Sequence, residues 1–447
     1  MFGSYGVYND LMKLNLAISS FGGQYWQNCF YALDTADLAS INVQFGPDQR
    51  YCTGDSTGGA NFAGGVVPAG LTFLENQNFR GTEGVNPGLK PYRQHETVFG
   101  ADYAITRTLA FEARWDRRRL DRAIEDAAIF DFTGSETFLI VNPGFGPNAV
   151  NLADSCTQSA LGCPRNIKAA RSYDGVEFRL TKVSSKNWFG MFSYTYSNLR
   201  GNYSGLTSTD LGDGGGGRNA PNNSRSFDES YFQFNANGGS SSGPLGTDRP
   251  HAFKGYAYYR IPWKTSWTTT NIGWFQTLYS GTPLSTYTDV GFSFSQPPFS
   301  GGFPVYPEDR GKWANISLAP DASGVLIPTV TSIESRRTPW YIQSDASFRQ
   351  EFKINKTNEA QVLTFEANVL NLFNQHSATG YYSQLDSAFS QSFLSPSATF
   401  PDYSALEHPY DWKALVSSTP LIANSQYGKP FIWQNPRSLR LAVRFTF

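Results

Sequence analysis

The chain has 447 residues, and its 36 Lys and Arg against 37 Asp and Glu leave a net charge of −1, so no basic excess points to nucleic-acid binding. Only 16% of the residues are charged, against roughly 25% in an average globular protein, whereas aromatic residues reach 15% and glycines number 42. Mean hydropathy is negative, and no apolar run approaches the ~18–20 residues of a membrane-spanning helix, which excludes a helical membrane protein. This composition favours a transmembrane β-barrel, in which only every second residue contacts lipid.

Segments in which apolar and polar residues alternate predict ten β-strands. In chain order these strands cover residues 2–8, 95–104, 108–118, 173–183, 188–198, 251–261, 265–279, 340–354, 359–373 and 437–447. Tight turns are predicted at residues 105–107, 184–187, 262–264 and 355–358. Long loops are predicted near residues 9–92, 121–169, 201–249, 280–339 and 374–436. Short and long connections therefore alternate along the chain.

This alternation decides between two all-β architectures. A soluble β-sandwich also alternates apolar and polar residues, but it does not explain long loops that all fall on one side, and loops above ~15 residues are rare in compact domains. Outer-membrane barrels combine short periplasmic turns with long extracellular loops. We therefore predict an all-β, antiparallel transmembrane β-barrel with about ten strands in this chain. Aromatic residues near the predicted strand ends fit the interfacial belts of such barrels, namely Trp115, Trp188, Trp263, Trp267, Trp340 and Tyr341.

Within the predicted strands, the alternation assigns charged residues to the face opposite the lipid. These lumen-facing candidates are Glu112, Arg114, Glu177, Arg179, Asp345, Arg349, Glu351, Glu366, Arg440 and Arg444. Both signs of charge are present, whereas a strongly ion-selective pore would be dominated by one. The expected lumen is therefore polar without strong ion selectivity.

The cysteines and histidines indicate disulfides rather than a metal site. The four cysteines form two sequence-local pairs in polar stretches, which predicts the disulfides Cys29–Cys52 and Cys156–Cys163 in an oxidising compartment; four free thiols are the alternative. The histidines have no metal-binding spacing, and they are His95, His251, His376 and His408. No nucleophile elbow or phosphate loop is present, so we expect neither a cofactor nor enzymatic activity.

Several stretches resemble TonB-dependent transporter barrels. They are TLAFEARWDRRRLDRAIED, DRPHAFKGYAYYRIPW, YSGTPLS and FEANVLNLFNQHS. Together with GVNPGLKPYRQHETVFGADYAI, which lies before and within the first strand pair, they are most similar to the Oar-like receptors, which carry an N-terminal carboxypeptidase-regulatory-like domain. The resemblance runs over most of the chain.

The resemblance implies a barrel of twenty-two strands, filled by an N-terminal plug and powered by the inner-membrane TonB complex. The sequence contains no recognisable plug, TonB box, regulatory-like domain or signal peptide. Residues 1–447 are therefore expected to form the C-terminal part of such a barrel, in the bacterial outer membrane, with TonB contacted only through N-terminal segments outside this chain.

The function implied by the resemblance is transport of a large solute, which is taken up or, in the Oar-like subgroup, exported. Two alternatives remain. A small closed barrel would be a passive porin, although a ten-stranded interior is narrow. Long surface loops would also suit adhesion or recognition.

The chain ends on RSLRLAVRFTF. Its alternation places an apolar stripe towards lipid and ends on an aromatic residue, which resembles the C-terminal signal that the outer-membrane insertion machinery recognises. The predicted assembly signal consists of Leu439, Leu441, Val443, Phe445 and Phe447.

Overall fold

The computed structural model describes residues 1–10, 26–35, 37–41, 67–79, 84–130, 136–149, 166–203, 241–290, 303–305, 308–354, 361–385 and 423–447. Two compact units are present, residues 12–87 and the remainder of the chain. Strands and two short 3-10 helices, Leu38–Ser40 and Gly146–Asn148, form the regular structure of the described residues. No helix in these ranges is long and apolar enough to cross a membrane.

The described strands are numbered in chain order. They are β1 Phe2–Asp10, β2 Trp26–Leu33, β3 Leu71–Phe79, β4 Gly84–Val85, β5 Tyr92–Thr106, β6 Leu109–Arg122, β7 Glu125–Phe130, β8 Glu136–Val141, β9 Arg171–Ser185, β10 Trp188–Gly201, β11 Gly243–Pro244, β12 His251–Ile261, β13 Thr268–Tyr279, β14 Thr288–Val290, β15 Phe303–Val305, β16 Lys312–Pro320, β17 Leu326–Ser335, β18 Tyr341–Lys353, β19 Val362–Leu370, β20 Ala378–Tyr381, β21 Pro430–Trp433 and β22 Ser438–Thr446.

Ten strands form one antiparallel sheet in the order β1-β5-β6-β9-β10-β12-β13-β18-β19-β22, with the short β11 paired to β10. The predicted all-β class and the ten predicted strands are confirmed, and each strand neighbours the next predicted one. Short connections meet at one end of the sheet, here called the turn end, and long ones at the other, here called the loop end. β1 and β22 are the two ends of the sheet order.

Some strand boundaries differ from the predicted ones. β6 continues four residues beyond the predicted end, so Trp115 lies in mid-strand, stacked on Phe99 at 5.9 Å between ring centroids, and not at a strand end. β13 starts at Thr268 instead of residue 265. The indole of Trp263 donates a hydrogen bond across this connection to Thr270 Oγ1 at 2.7 Å, which holds the longer turn together.

The pairing register gives the sheet two distinct faces, because directly opposed residues of an antiparallel ladder point to the same side. One face, here called the polar face, includes the opposed pair Glu112 and Arg179. The other, here called the apolar face, includes the opposed pair Leu363 and Phe445. Following the register from strand to strand extends both faces over all ten strands.

The apolar core of the described residues lies away from the sheet. Every buried apolar side chain among them occurs in a connection between the ten strands. Examples are Ile140 in the β7–β8 hairpin and Trp313 in the β16–β17 hairpin. Buried side chains within the ten strands are instead polar, such as Thr270 and Ser344. This distribution is the reverse of that of a sheet packed in water.

The β9–β10 turn has both central residues in the left-handed region, with φ of 48° at Lys186 and 66° at Asn187. A two-residue hairpin of this kind favours Asn-Gly, because a side chain in that region costs about 1–2 kcal/mol. Replacing Lys186–Asn187 by Asn–Gly should therefore raise the free energy of unfolding by about 1 kcal/mol, measured from the urea midpoint. An Ala–Ala replacement should lower it; equal midpoints for both variants would contradict this account.

Candidate transport surface

All ten charged residues predicted to face the lumen lie on the polar face, as the register requires. Near β6 and β9 they form cross-strand ion pairs. Arg114 contacts Glu177 with 3.1 Å between Nη2 and Oε2, and Arg179 contacts Glu112. The side chains of these four residues are between 14% and 42% exposed, so solvent screens the pairs and each contributes about 0–1 kcal/mol to stability.

A second charged group lies on β18 and β19. Arg349 Nη2 lies 2.5 Å from Glu351 Oε1, and Arg349 Nε lies 3.6 Å from Glu366 Oε1. Asp345 is hydrogen-bonded instead, accepting from the Gln343 amide at 2.9 Å. One cation therefore stands against three carboxylates in this group, so an excess of negative charge remains on this stretch.

The edge strand β22 supplies the remaining two candidates. Arg440 lies opposite Asn368, and Arg444 lies opposite Thr364. Neither arginine forms an ion pair with another described residue. The structure thus brings eight of the ten candidates into two groups and leaves these two cations apart. Their orientation towards a lumen stays a prediction.

The apolar face exposes large side chains over its whole width. Leu439, Leu441, Val443 and Phe445 of the predicted assembly signal are between 50% and 72% exposed. Phe447 follows the strand and stacks on Phe445 at 6.0 Å. Further exposed members on the other strands are Tyr5, Phe99, Phe111, Phe178, Tyr194, Ile272, Trp274, Ile342, Phe348 and Phe365. A continuous apolar surface of this extent indicates an interaction partner or a membrane.

At the loop end, Arg337 bridges two of the stretches that resemble the transporter barrels and pairs with a buried carboxylate. Asp248, from DRPHAFKG, is 1% exposed; its carboxylate accepts a hydrogen bond from Leu199 N at 2.7 Å and contacts Arg337 Nη2 at 2.5 Å. Arg337 also donates to the carbonyl of Gly281, in YSGTPLS, at 3.0 Å. These residues fix the connection between β10 and β12 to the connection between β13 and β18.

The NLFN motif, residues 371–374, also fixes a connection, near β18, β19 and β22. Asn371 is 2% exposed and has a positive φ of 53°. Its amide donates to the carbonyls of Gln375 at 2.8 Å and Asn435 at 2.9 Å, while its backbone N–H donates to Asp345 at 2.7 Å. Asn374 Oδ1 accepts from Arg437 N at 2.9 Å. The motif therefore anchors the segment that leads into β22.

The histidines take part in aromatic contacts. His95 Nδ1 lies 2.6 Å from the Tyr5 hydroxyl, and His251 Nδ1 lies 2.8 Å from the Tyr194 hydroxyl. His376 stacks on a tryptophan ring, while His408 lies outside the described residues. In the part of the chain that is described, no group of three His, Cys, Asp or Glu side chains could hold a metal ion.

Both predicted disulfides lie outside the described residues, because Cys52, Cys156 and Cys163 do. Sequence reasoning found the charged ladder but missed Arg337 as the partner of Asp248. The DRPH and YSGTPLS stretches had been singled out for their resemblance to the transporter barrels. Neither stretch contains Arg337, so they did not reveal this contact.

No protein-family model matches the chain. Among curated proteins, the chain is similar to the TonB-dependent transporter Oar of Myxococcus xanthus, with 24% identity over 379 residues. The match covers 81% of this chain and 29% of the relative, so the chain spans less than a third of that protein's length. The relative is a transporter, in agreement with the prediction that the chain is not an enzyme. This distant similarity supports the TonB-dependent transporters as the family to which the chain is related.

Proposed function

We propose that the chain forms part of the barrel wall of a TonB-dependent transporter that moves a large solute across the bacterial outer membrane. The observation that carries this proposal is the reversed distribution of apolar residues. The sheet exposes one continuous apolar face, while the buried apolar side chains of the described residues lie in the connections. Lipid contact accounts for such a face, and a charged ladder on the opposite side suits an aqueous lumen.

In this proposal, strands from outside residues 1–447 complete the barrel wall. β1 and β22 are the two ends of the sheet order and are not paired with each other. Unpaired backbone groups cost several kcal/mol each in lipid, so in the proposal each of these strands has a neighbour from outside residues 1–447. The matched region is 29% of the relative's length. In the proposed arrangement, residues 1–447 are the C-terminal part of an Oar-like barrel. The long connections would then face the cell exterior, and TonB would act through segments outside this chain.

TonB dependence can be tested without knowing the solute. Culture supernatants of the wild-type strain, a strain lacking this gene and a strain lacking TonB would be compared by mass spectrometry. The proposal expects one compound to remain in the medium, or to be missing from it in the case of export, in both deletion strains. A compound whose level changes only in the gene deletion would contradict TonB dependence and favour a passive porin.

The C-terminal signal gives a second test of the same proposal. Replacing Phe447 by lysine should reduce the amount of protein assembled in the outer membrane severalfold, because a charge would replace the aromatic side chain on the apolar stripe. The matched control is Thr446→Lys, which places the same charge on the polar face. Assembly would be measured by heat-modifiable migration of membrane fractions. Equal assembly of both variants would count against the signal.

A further inference from the structure

A track of six aromatic side chains crosses the polar face. The pairing register places all six on the polar face: Tyr341 lies opposite Tyr279, Phe275 opposite Tyr256, and Tyr258 opposite Phe189. The track runs obliquely from the loop end on β18, across β13 and β12, to the turn end on β10. The pairing of Tyr279 with Ala252 puts Tyr258 six residues further along β12, a distance of ~20 Å at ~3.3 Å per residue.

Rings contact one another at each end of the track, and the two rings between these ends are exposed. Tyr279 and Tyr341 lie 6.2 Å apart with an interplanar angle of 23°. At the turn end, the Phe189 ring lies 5.8 Å from Tyr256 and 5.5 Å from Tyr258. Midway, Tyr256 is 40% and Phe275 39% exposed, so these two rings present surface that no described residue covers.

Two cationic side chains lie at the loop end of the track. The Arg249 guanidinium lies 5.3 Å from the centre of the Tyr279 ring, and the Lys254 ammonium lies 5.9 Å from it. Burial lowers the pKa of Arg249, with Tyr279 and Tyr341 acting in the opposite direction. Neither cation forms an ion pair with a described residue. The Arg249 guanidinium donates instead to the carbonyl of Ser280 at 3.0 Å.

Polar groups flank the rings as well. The hydroxyl of Tyr341 donates to Gln343, whose amide donates to Asp345 at 2.9 Å. Asp345 in turn accepts from the backbone of Asn371 at 2.7 Å. This chain of hydrogen bonds fixes the orientation of Tyr341 and joins the track to the NLFN anchor. At its loop end, the track thus combines aromatic rings, two cations and hydrogen-bonding groups.

We propose that the aromatic track binds an acidic oligosaccharide as it passes along the wall; this inference rests on the proposed transport function and names its substrate class. Sugar rings carry apolar C–H faces that can pack on the apolar faces of aromatic rings, and their hydroxyl groups match the flanking amide and carboxylate. Arg249 and Lys254 supply the attraction for acidic groups. The track would let successive sugar units exchange from ring to ring.

A peptide fits this surface less well. Extended peptides are commonly recognised by adding a strand to an open sheet edge, but β10, β12, β13 and β18 are interior strands with neighbours on both sides. Recognition on the track must therefore come from side chains. A track of aromatic side chains with two cations at one end suits a chain of sugar units that carry acidic groups.

The test uses the full chain reconstituted in lipid vesicles, with three soluble probes: a heparin-derived hexasaccharide, neutral maltohexaose and hexaglutamate. Phe275→Ala and Tyr256→Ala should each weaken binding of the heparin hexasaccharide about tenfold, the effect of losing one stacked ring. Trp274→Ala is the matched control, because Trp274 is the neighbour of Phe275 on the apolar face and should leave the affinity unchanged. Lys254→Gln should reduce the preference for the heparin hexasaccharide over maltohexaose.

The outcomes separate this inference from the proposed transport function. Equal loss of affinity in Phe275→Ala and Trp274→Ala, or hexaglutamate binding that depends on the same rings, would overturn the oligosaccharide assignment. Failure of the wild-type protein to bind either saccharide would also overturn it, while outer-membrane assembly and TonB dependence would still support the transporter. Absence of membrane assembly would remove the transport proposal instead.

Discussion

Replacing Arg337 by methionine is expected to lower the free energy of unfolding by about 3–5 kcal/mol, because the change leaves a buried carboxylate without its cation. Asp248 is almost fully buried, and Arg337 contacts both its side chain and its backbone carbonyl. The remaining partner described for the carboxylate is the backbone N–H of Leu199. Urea unfolding of the purified protein in detergent would measure the loss.

The matched control is Arg349→Met. Arg349 also contacts two carboxylates, but its side chain is 46% exposed on the polar face. Partly exposed pairs contribute about 0–1 kcal/mol, so this variant should unfold close to the wild-type midpoint. A similar shift for both variants would show that burial of Asp248 does not govern the contribution of its ion pair.

Gly281→Ala is expected to destabilise the loop end by about 3 kcal/mol or more, because there is no space for the added carbon. A Cβ at this position would lie 1.6 Å from the backbone oxygen of Thr338. The two segments are held together there by Thr338 N donating to Thr282 O at 2.9 Å and Thr282 N donating to Thr338 Oγ1 at 3.0 Å. Separating them would break both hydrogen bonds and displace Arg337.

Gly324→Ala is the control for this substitution. Gly324 has a φ of +85°, and nothing lies within 4 Å of the point that an added Cβ would occupy. Its replacement should therefore cost only the left-handed strain of about 1–2 kcal/mol. Proteolysis of the loop-end connections, alongside the unfolding midpoint, would report local loosening. A wild-type unfolding midpoint and wild-type proteolysis of Gly281→Ala would contradict the close approach of the Gly281 and Thr338 backbones.

The sheet could be predicted because its signal is local. In β9, Val176, Phe178 and Leu180 alternate with charged or polar residues, and a period of two identifies both the strand and its faces. The charged ladder followed from the same rule, since Glu177 and Arg179 take the positions between those apolar residues. Alternation thus predicted the all-β class and the membership of the polar face, and the tight turns predicted the antiparallel pairs.

The loop-end contacts could not be predicted because they join distant residues. Arg337 and Asp248 are 89 residues apart, and Asn371 reaches Asn435 across 64 residues. The β16–β17 hairpin was also missed, because its register shifts between Asn315 and Ile316 and interrupts the alternation. Such contacts depend on how the connections fold back, which no local period encodes.

The central claim, that the apolar face contacts lipid and the polar face contacts water, is tested most directly on β18. Single cysteines would be introduced into a variant whose four native cysteines are replaced by serine, and a nitroxide spin label attached to each in lipid vesicles. The positions on the apolar face are Ile342, Ala346 and Phe348, and those on the polar face are Gln343, Ser347 and Arg349.

Electron paramagnetic resonance would measure the collision rate of each label with oxygen, which concentrates in the bilayer, and with a water-soluble nickel chelate. The account predicts that oxygen dominates at the three apolar-face positions and the nickel chelate at the three polar-face positions. Equal access of the nickel chelate to all six positions would show that both faces contact water, and would contradict a membrane-spanning sheet.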